Sequence, residues 1–131
     1  VAQPLERGFN NYYSIIQGGY MESCIFCKIV NGDIASKKVY EDDKAFAFYD
    51  IDPQAPVHVL IVPKRHIESM NECDSSVMAH MLDVAKSLAN SLNLADDGYR
   101  IVVNTGLNGG QTVSHLHFHL LGGRRLGWPP G

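Results

Sequence analysis

Gly109-Gly110-Gln111-Thr112-Val113-Ser114-His115-Leu116-His117-Phe118-His119-Leu120-Leu121-Gly122-Gly123 is the stretch on which the reading of this chain turns. Histidine alternates with Leu116, Phe118 and Leu120, and a glycine pair closes each end. A period of two is the pattern of a strand with one buried face, so the spacing predicts a strand that sends Leu116, Phe118 and Leu120 into the core. His115, His117 and His119 then project together from the opposite side, at intervals of roughly 6.6 Å. Imidazole can donate, accept, attack or bind metal near neutral pH. The plainer alternative is the polar outer face of an edge strand, but such a face would normally be filled with Thr, Lys or Glu. Half of the six histidines in the chain lie within these five residues, which favours a site.

The residues just before the row add to it. Glycine lets backbone N–H groups approach a ligand closely and form anion-binding concavities, and Gln111 and Thr112 add hydrogen-bonding side chains of the kind a phosphate oxygen accepts. A glycine pair alone also makes ordinary hairpin turns, so Gly109-Gly110 gains its weight from its neighbours.

Composition bounds the rest. The chain has 131 residues, 45% hydrophobic and 19% charged, as expected for one globular domain. No apolar run is long enough to suggest a membrane span, and a net charge of −3 gives no reason to expect binding to a nucleic-acid backbone. Three cysteines, two of them in Cys24-x-x-Cys27, argue against a disulfide framework and for a reducing compartment, the cytoplasm. Residues 1–20 carry no sustained period and no secretory signal, and are expected to be a disordered extension ahead of a single domain over 21–131, with Met21 a plausible initiator.

Along the chain, Ser23 to Val30 predicts a short helix capped by Ser23 and stopped at Asn31-Gly32. Lys38 to Tyr40, Ala45 to Tyr49, Val57 to Val62 and Tyr99 to Val103 read as strands, with a proline-stiffened loop over Asp50 to Pro56. Ser75 to Leu94 is the one long helix, its apolar stripe formed by Val77, Met81, Val84, Leu88 and Leu92. Met70, Met78 and Met81 read as core fillers, His80 as a helix-surface or packing residue, and Cys73 as a free thiol without a role. Asn104 to Gly110 is expected to be a loop. Strands joined by short turns suggest an α+β domain, a five-stranded antiparallel sheet with one long and one short helix segregated on one face.

His115-Leu-His-Phe-His-Leu-Leu121 resembles the HxHxHxx signature of the histidine-triad (HIT) proteins. The resemblance extends over Asp50-Ile51, Pro53-Gln54-Ala55-Pro56, His58, Ile61-Val62-Pro63-Lys64, His66, Val103-Asn104 and Gly109 to Thr112. It ends in Trp128-Pro-Pro-Gly131, as in the nucleotide-binding Hint branch. It implies a HIT-like fold whose sheet continues across a homodimer. His117 matches the nucleophile, which would form a nucleotidyl-histidine. His119 would contact the phosphate or leaving group, and His58 and His115 would orient or polarise the nucleophile. Thr112 stands where Ser is more usual and keeps a hydroxyl near the leaving atom. Gln111, Gly110 and Asn104 would hold phosphate oxygens, Asp50 the ribose hydroxyls, and Ile25, Phe26 and Ile51 an apolar slot for the base. For these three apolar positions ordinary core is an equal alternative. Trp128 would border the leaving-group site of the partner subunit.

Cys24-x-x-Cys27 is by itself half of a tetrahedral zinc site, or a pair of core cysteines on one helical turn. Bacterial-type members of the family that keep this pair complete the site at positions matching His66 and His115, and both are histidine here. The resemblance therefore implies structural Zn2+, although many Hint-branch members lack the cysteines. Three functions follow from it. The first is hydrolysis of purine nucleoside phosphoramidates of the AMP or GMP type. The second is hydrolysis of dinucleoside polyphosphates, and the third is a zinc-stabilised nucleotide-binding interaction protein with little turnover. The Trp128 ending favours the first. A catalytic metal held by all three triad histidines is disfavoured, since no carboxylate sits in the row.

Overall fold

The computed structural model describes residues 19–131. Its elements are helix α1 (Ile25–Asn31), strands β1 (Lys38–Glu41), β2 (Ala45–Tyr49) and β3 (Val57–Pro63), a 3-10 turn (Met70–Glu72), helix α2 (Ser75–Ser91), β4 (Tyr99–Val102), the single-turn helix α3 (Gly106–Gly109) and β5 (Phe118–Gly122). The strands form one antiparallel sheet in the order β1-β2-β3-β5-β4. The extension expected over residues 1–20 lies outside the described residues as far as residue 18. Gly19 and Tyr20 are placed, with the Gly19 carbonyl accepting from the His66 N–H at 2.6 Å.

Both faces of the sheet are covered. Ala45, Ala47, Val59, Ile61, Phe118 and Leu120 face α2, where Met81, Val84, Ala85, Leu88 and Ala89 are buried. Phe46, Phe48, Leu60 and Val62 point the other way and pack with Phe26, Cys27 and Ile29 of α1. The expectation that both helices share one face is thus corrected. Alternation within β2 is between small and large apolar residues, Ala-Phe-Ala-Phe, which is what a strand buried on both sides requires. The stripe expected on α2 holds, with Val77 and Leu92 at its partly buried ends. Met70 does not reach the core and is exposed.

Local chemistry sets the ends of the elements. Cys24, not Ser23, caps α1: its sulfur accepts from the Cys27 N–H at 3.3 Å. Gly32 closes the helix with φ of 88°, a conformation that only glycine adopts without strain. His80 ties α2 to the β1–β2 turn through Asp42 Oδ2 at 2.7 Å. The same carboxylate accepts from the Tyr40 hydroxyl and from the N–H groups of Lys44 and Ala45. Asn104 to Gly110, expected to be a loop, contains the turn α3, closed by Gly110 at φ 82°.

The histidine row is only partly on the strand. β5 begins at Phe118, so His119 alone of the three has strand geometry. The register pairs Ile61 with Phe118, so continuing it would set Val62 against His117 and Pro63 against Leu116. Proline has no N–H to give to the ladder, and there the pairing stops. The Leu116 N–H turns instead to the carbonyl of Ile67 at 2.7 Å. The even 6.6 Å spacing expected for the three rings is corrected accordingly. His117 and His119 lie 5.0 Å apart between ring centres, while the His115 ring packs on His66, also at 5.0 Å. The apolar half of the alternation survives, with Leu116, Phe118 and Leu120 all in the core.

Candidate active site and metal cluster

Two neighbouring centres are built from these elements. The first runs Phe26, His117, His119, His58, Asp50. Phe26, brought by α1 to the histidine side of the sheet, meets His117 edge to face at 5.1 Å. β3 carries His58 opposite the Leu121 position of β5, and His58 Nε2 lies 2.9 Å from His119 Nδ1. Asp50, the residue after β2, places Oδ2 at 3.4 Å from His58 Nε2.

The backbone fixes which nitrogen of each ring carries the proton. The Gln54 N–H donates to His58 Nδ1 at 3.0 Å, so the His58 proton sits on Nε2. His58 Nε2–H then donates to His119 Nδ1, which places the His119 proton on Nε2. That Nε2 is buried and, among the described residues, without a hydrogen-bond partner. His117 donates from Nδ1 to the carbonyl of His115 at 2.7 Å, leaving the lone pair on its Nε2. An unprotonated nitrogen on one ring thus stands beside an unpartnered N–H on the next.

The charge state agrees. Burial lowers the pKa of His58 and His117, and it lowers that of His119 to about 4, helped by the neighbouring imidazoles His117 and His58. All three rings are therefore neutral at pH 7. If the neutral rings do the chemistry, activity persists as the pH falls through the ordinary imidazole value of ~6.5. It is lost between there and the value of about 4 reached by His119. The acid limb of kcat/KM measures this, as a property of the coupled set. A midpoint at or above ~6.5 would contradict the neutral, buried triad.

The second centre is Cys24, Cys27, His66 and His115, whose ligand atoms all lie within 4.8 Å of one another. His115, fully buried, donates from Nε2 to the Pro63 carbonyl at 2.9 Å, which frees Nδ1. Nδ1 faces Cys24 Sγ at 3.3 Å and Cys27 Sγ at 3.6 Å, and His66 Nδ1 faces Cys27 Sγ at 3.4 Å. Sulfur and nitrogen ligands around tetrahedral zinc stand about 3.5 Å apart. The donor set is therefore compatible with zinc. Hydrogen bonding with Cys27 lowers the pKa of Cys24.

The remaining site candidates are less converged. The Gln111 side chain is buried and occupied, its amide donating to the carbonyls of Glu68 and Val113 and accepting from the Gly106 N–H. It braces the loop of the glycine pair from within. Thr112 is exposed, Asn104 and Gly110 flank α3, Ile25 is half-exposed and Ile51 is almost fully exposed. Trp128 is 80% exposed and lies over the Arg100 guanidinium of its own chain at 5.9 Å, while Arg100 donates to the Gly127 carbonyl. Sequence reasoning missed three groups: the Gln54 N–H and the carbonyls of Pro63 and His115. All are backbone, and no residue type announces them.

Residues 31–126 match the HIT domain family. The chain belongs to the HIT family. It is 50% identical over 113 residues to an uncharacterized HIT-like protein of Synechococcus elongatus, covering 84% of this chain and 98% of that one. It is 47% identical over 112 residues to a 14 kDa zinc-binding protein of Zea mays, covering 82% and 87%. Among solved structures, a HIT family hydrolase from Legionella pneumophila superposes with a TM-score of 0.81 at 49% identity, covering 83% of this chain and all of that one. No described helix of this HIT protein is long and apolar enough to cross a membrane.

Proposed function

We propose that this HIT protein hydrolyses the P–N bond of purine nucleoside 5'-phosphoramidates, AMP-amine or GMP-amine, through a covalent nucleotidyl-His117. The carrying observation is the pairing of tautomers, a lone pair on His117 Nε2 beside an unpartnered His119 Nε2–H. His117 Nε2 attacks phosphorus, the P–N bond breaks, and the departing nitrogen needs a proton. His119 Nε2–H is the donor at hand. His117 Nδ1–H stays on the His115 carbonyl, which stabilises positive charge on the ring as the P–N(imidazole) bond forms. Water then displaces His117 and releases the nucleoside monophosphate. Phe26 and Ile51 would bound the base, Asp50 the ribose, and Gly110, Thr112 and Asn104 the phosphate.

Zinc bound by Cys24, Cys27, His66 and His115 would supply cross-linking of α1 to the triad segment. Two copies would pair along β4, which is an edge of the sheet with Tyr99 partly exposed on it. A reducing cytoplasm would keep the two thiols free. The hydrolase from Legionella supports the reaction class.

The test is a comparison of kcat/KM for adenosine phosphoramidate, a lysine-linked AMP and diadenosine polyphosphates. The P–N substrates should be preferred by at least about tenfold, ~1.4 kcal/mol. Preference for the polyphosphates would point to the dinucleotide hydrolase instead, and binding of AMP without turnover to an interaction protein. In the same assay, deleting residues 127–131 should change discrimination between the lysine-linked and minimal amines, through Trp128 of the partner subunit. AMP affinity should change less. Equal scaling of both specificity constants would count against that role for the tail.

A further inference from the structure

His115 belongs to both centres at once. Its Nδ1 faces Cys24 and Cys27, its Nε2–H is held by Pro63, and its carbonyl holds the proton of His117 Nδ1 at 2.7 Å. One residue further, the Leu116 N–H is bonded to Ile67, the neighbour of His66, so the two histidine-bearing segments of the cluster are zipped together. Among the described residues His117 Nδ1 has the His115 carbonyl as its one hydrogen-bond partner, and without it the ring has nothing to select its tautomer. A free neutral imidazole side chain prefers its proton on Nε2, the form whose nucleophilic nitrogen is blocked.

We propose that His115 is a positioning residue that couples the Cys24–Cys27–His66 cluster to the tautomer of His117, so that metal in the cluster sets the hydrolytic rate without approaching the phosphate. The proposal rests on the hydrolase reading above, but its structural half does not need that reading. With the cluster filled, Nδ1 of His115 is tethered and both ring nitrogens are engaged. The peptide that carries the carbonyl is fixed with the ring. With the cluster empty, only thiol–imidazole contacts of 3.3 to 3.6 Å remain on that side. These are weak hydrogen bonds, and the peptide that carries the carbonyl, left with its bonds to Ile67 and Pro63, loses the tether that fixes it against His117.

The experiment uses the full chain labelled with 15N-histidine, in zinc-loaded, cadmium-loaded and chelator-stripped forms. The readouts are the His117 nitrogen shifts, kcat on adenosine phosphoramidate and the Kd of AMP. In the zinc and cadmium forms His117 should carry its proton on Nδ1, with kcat agreeing within about threefold. In the stripped form the two tautomers should mix and kcat should fall at least about tenfold, with AMP affinity little changed. His66→Cys, which keeps four zinc-binding donors, should behave as the parent, and His66→Ala as the stripped form. Should the stripped chain unfold, the two His66 variants decide. An unchanged His117 tautomer in a folded stripped chain or in His66→Ala would overturn the coupling. So would a kcat that differs between zinc and cadmium while the tautomer stays the same, since the metal would then act in the reaction itself. No turnover in any form, with the tautomer nonetheless shifting on stripping, would overturn the hydrolase reading and leave the coupling standing.

Discussion

In His117→Ala, turnover of adenosine phosphoramidate falls by at least about a thousandfold, a barrier increase of ~4 kcal/mol. The reason is the loss of the one ring of the His117–His119–His58 group whose unengaged nitrogen carries a lone pair; His119 and His58 carry their protons on Nε2 instead. Binding behaves differently. Asp50 and the Gly110 loop remain, and Phe26, though it loses the His117 ring, keeps its packing on Phe48, so the Kd of AMP should change by less than about threefold, well under 1 kcal/mol. Steady-state kinetics and calorimetric titration of the same preparation separate the two effects. A loss of activity of only about tenfold would mean that the nucleophile lies elsewhere.

The Cys24→Ser, Cys27→Ser double variant carries the second large effect. Metal analysis of the parent, purified without chelator, should find about one zinc per chain, and the variant should have lost it. Cys24 caps α1 and Cys27 is almost wholly buried, so the pair joins the helix that carries Phe26 to the histidines of two other segments. Metal affinity at such a site is folding free energy. The melting temperature should therefore fall by at least ~10 °C, a few kcal/mol for a domain of this size. A parent free of metal and a variant of equal stability would make the cysteines ordinary core residues.

What the sequence made legible was local and periodic. The alternation from Leu116 to Leu120 announced the core face of β5, and the stripe from Val77 to Leu92 announced the buried side of α2. The CxxC spacing placed two sulfurs on one turn, and the family resemblance supplied their partners. The start of β5 was not legible, because it depends on a proline in the facing strand and appears only once the register is known. The covering of both sheet faces was written in Ala45-Phe46-Ala47-Phe48, an unbroken apolar run, but a short run of this kind does not say what covers it. Least legible were the proton positions. They follow from the Gln54 N–H and from the carbonyls of Pro63 and His115, and backbone groups are the same in every sequence. The side chain of Gln111 is a related case: a polar residue beside a phosphate loop, whose hydrogen bonds here go to the loop itself.

The most direct measurement of the central claim is the stereochemical course at phosphorus. An adenosine phosphoramidate made chiral by one sulfur substituent, hydrolysed in isotopically labelled water, reports whether phosphorus is attacked once or twice. Each in-line displacement inverts the centre. Attack by His117 followed by attack of water therefore predicts overall retention of configuration. Inversion would mean that water attacks the substrate directly, with His117 acting as a base at most, and would contradict the covalent mechanism.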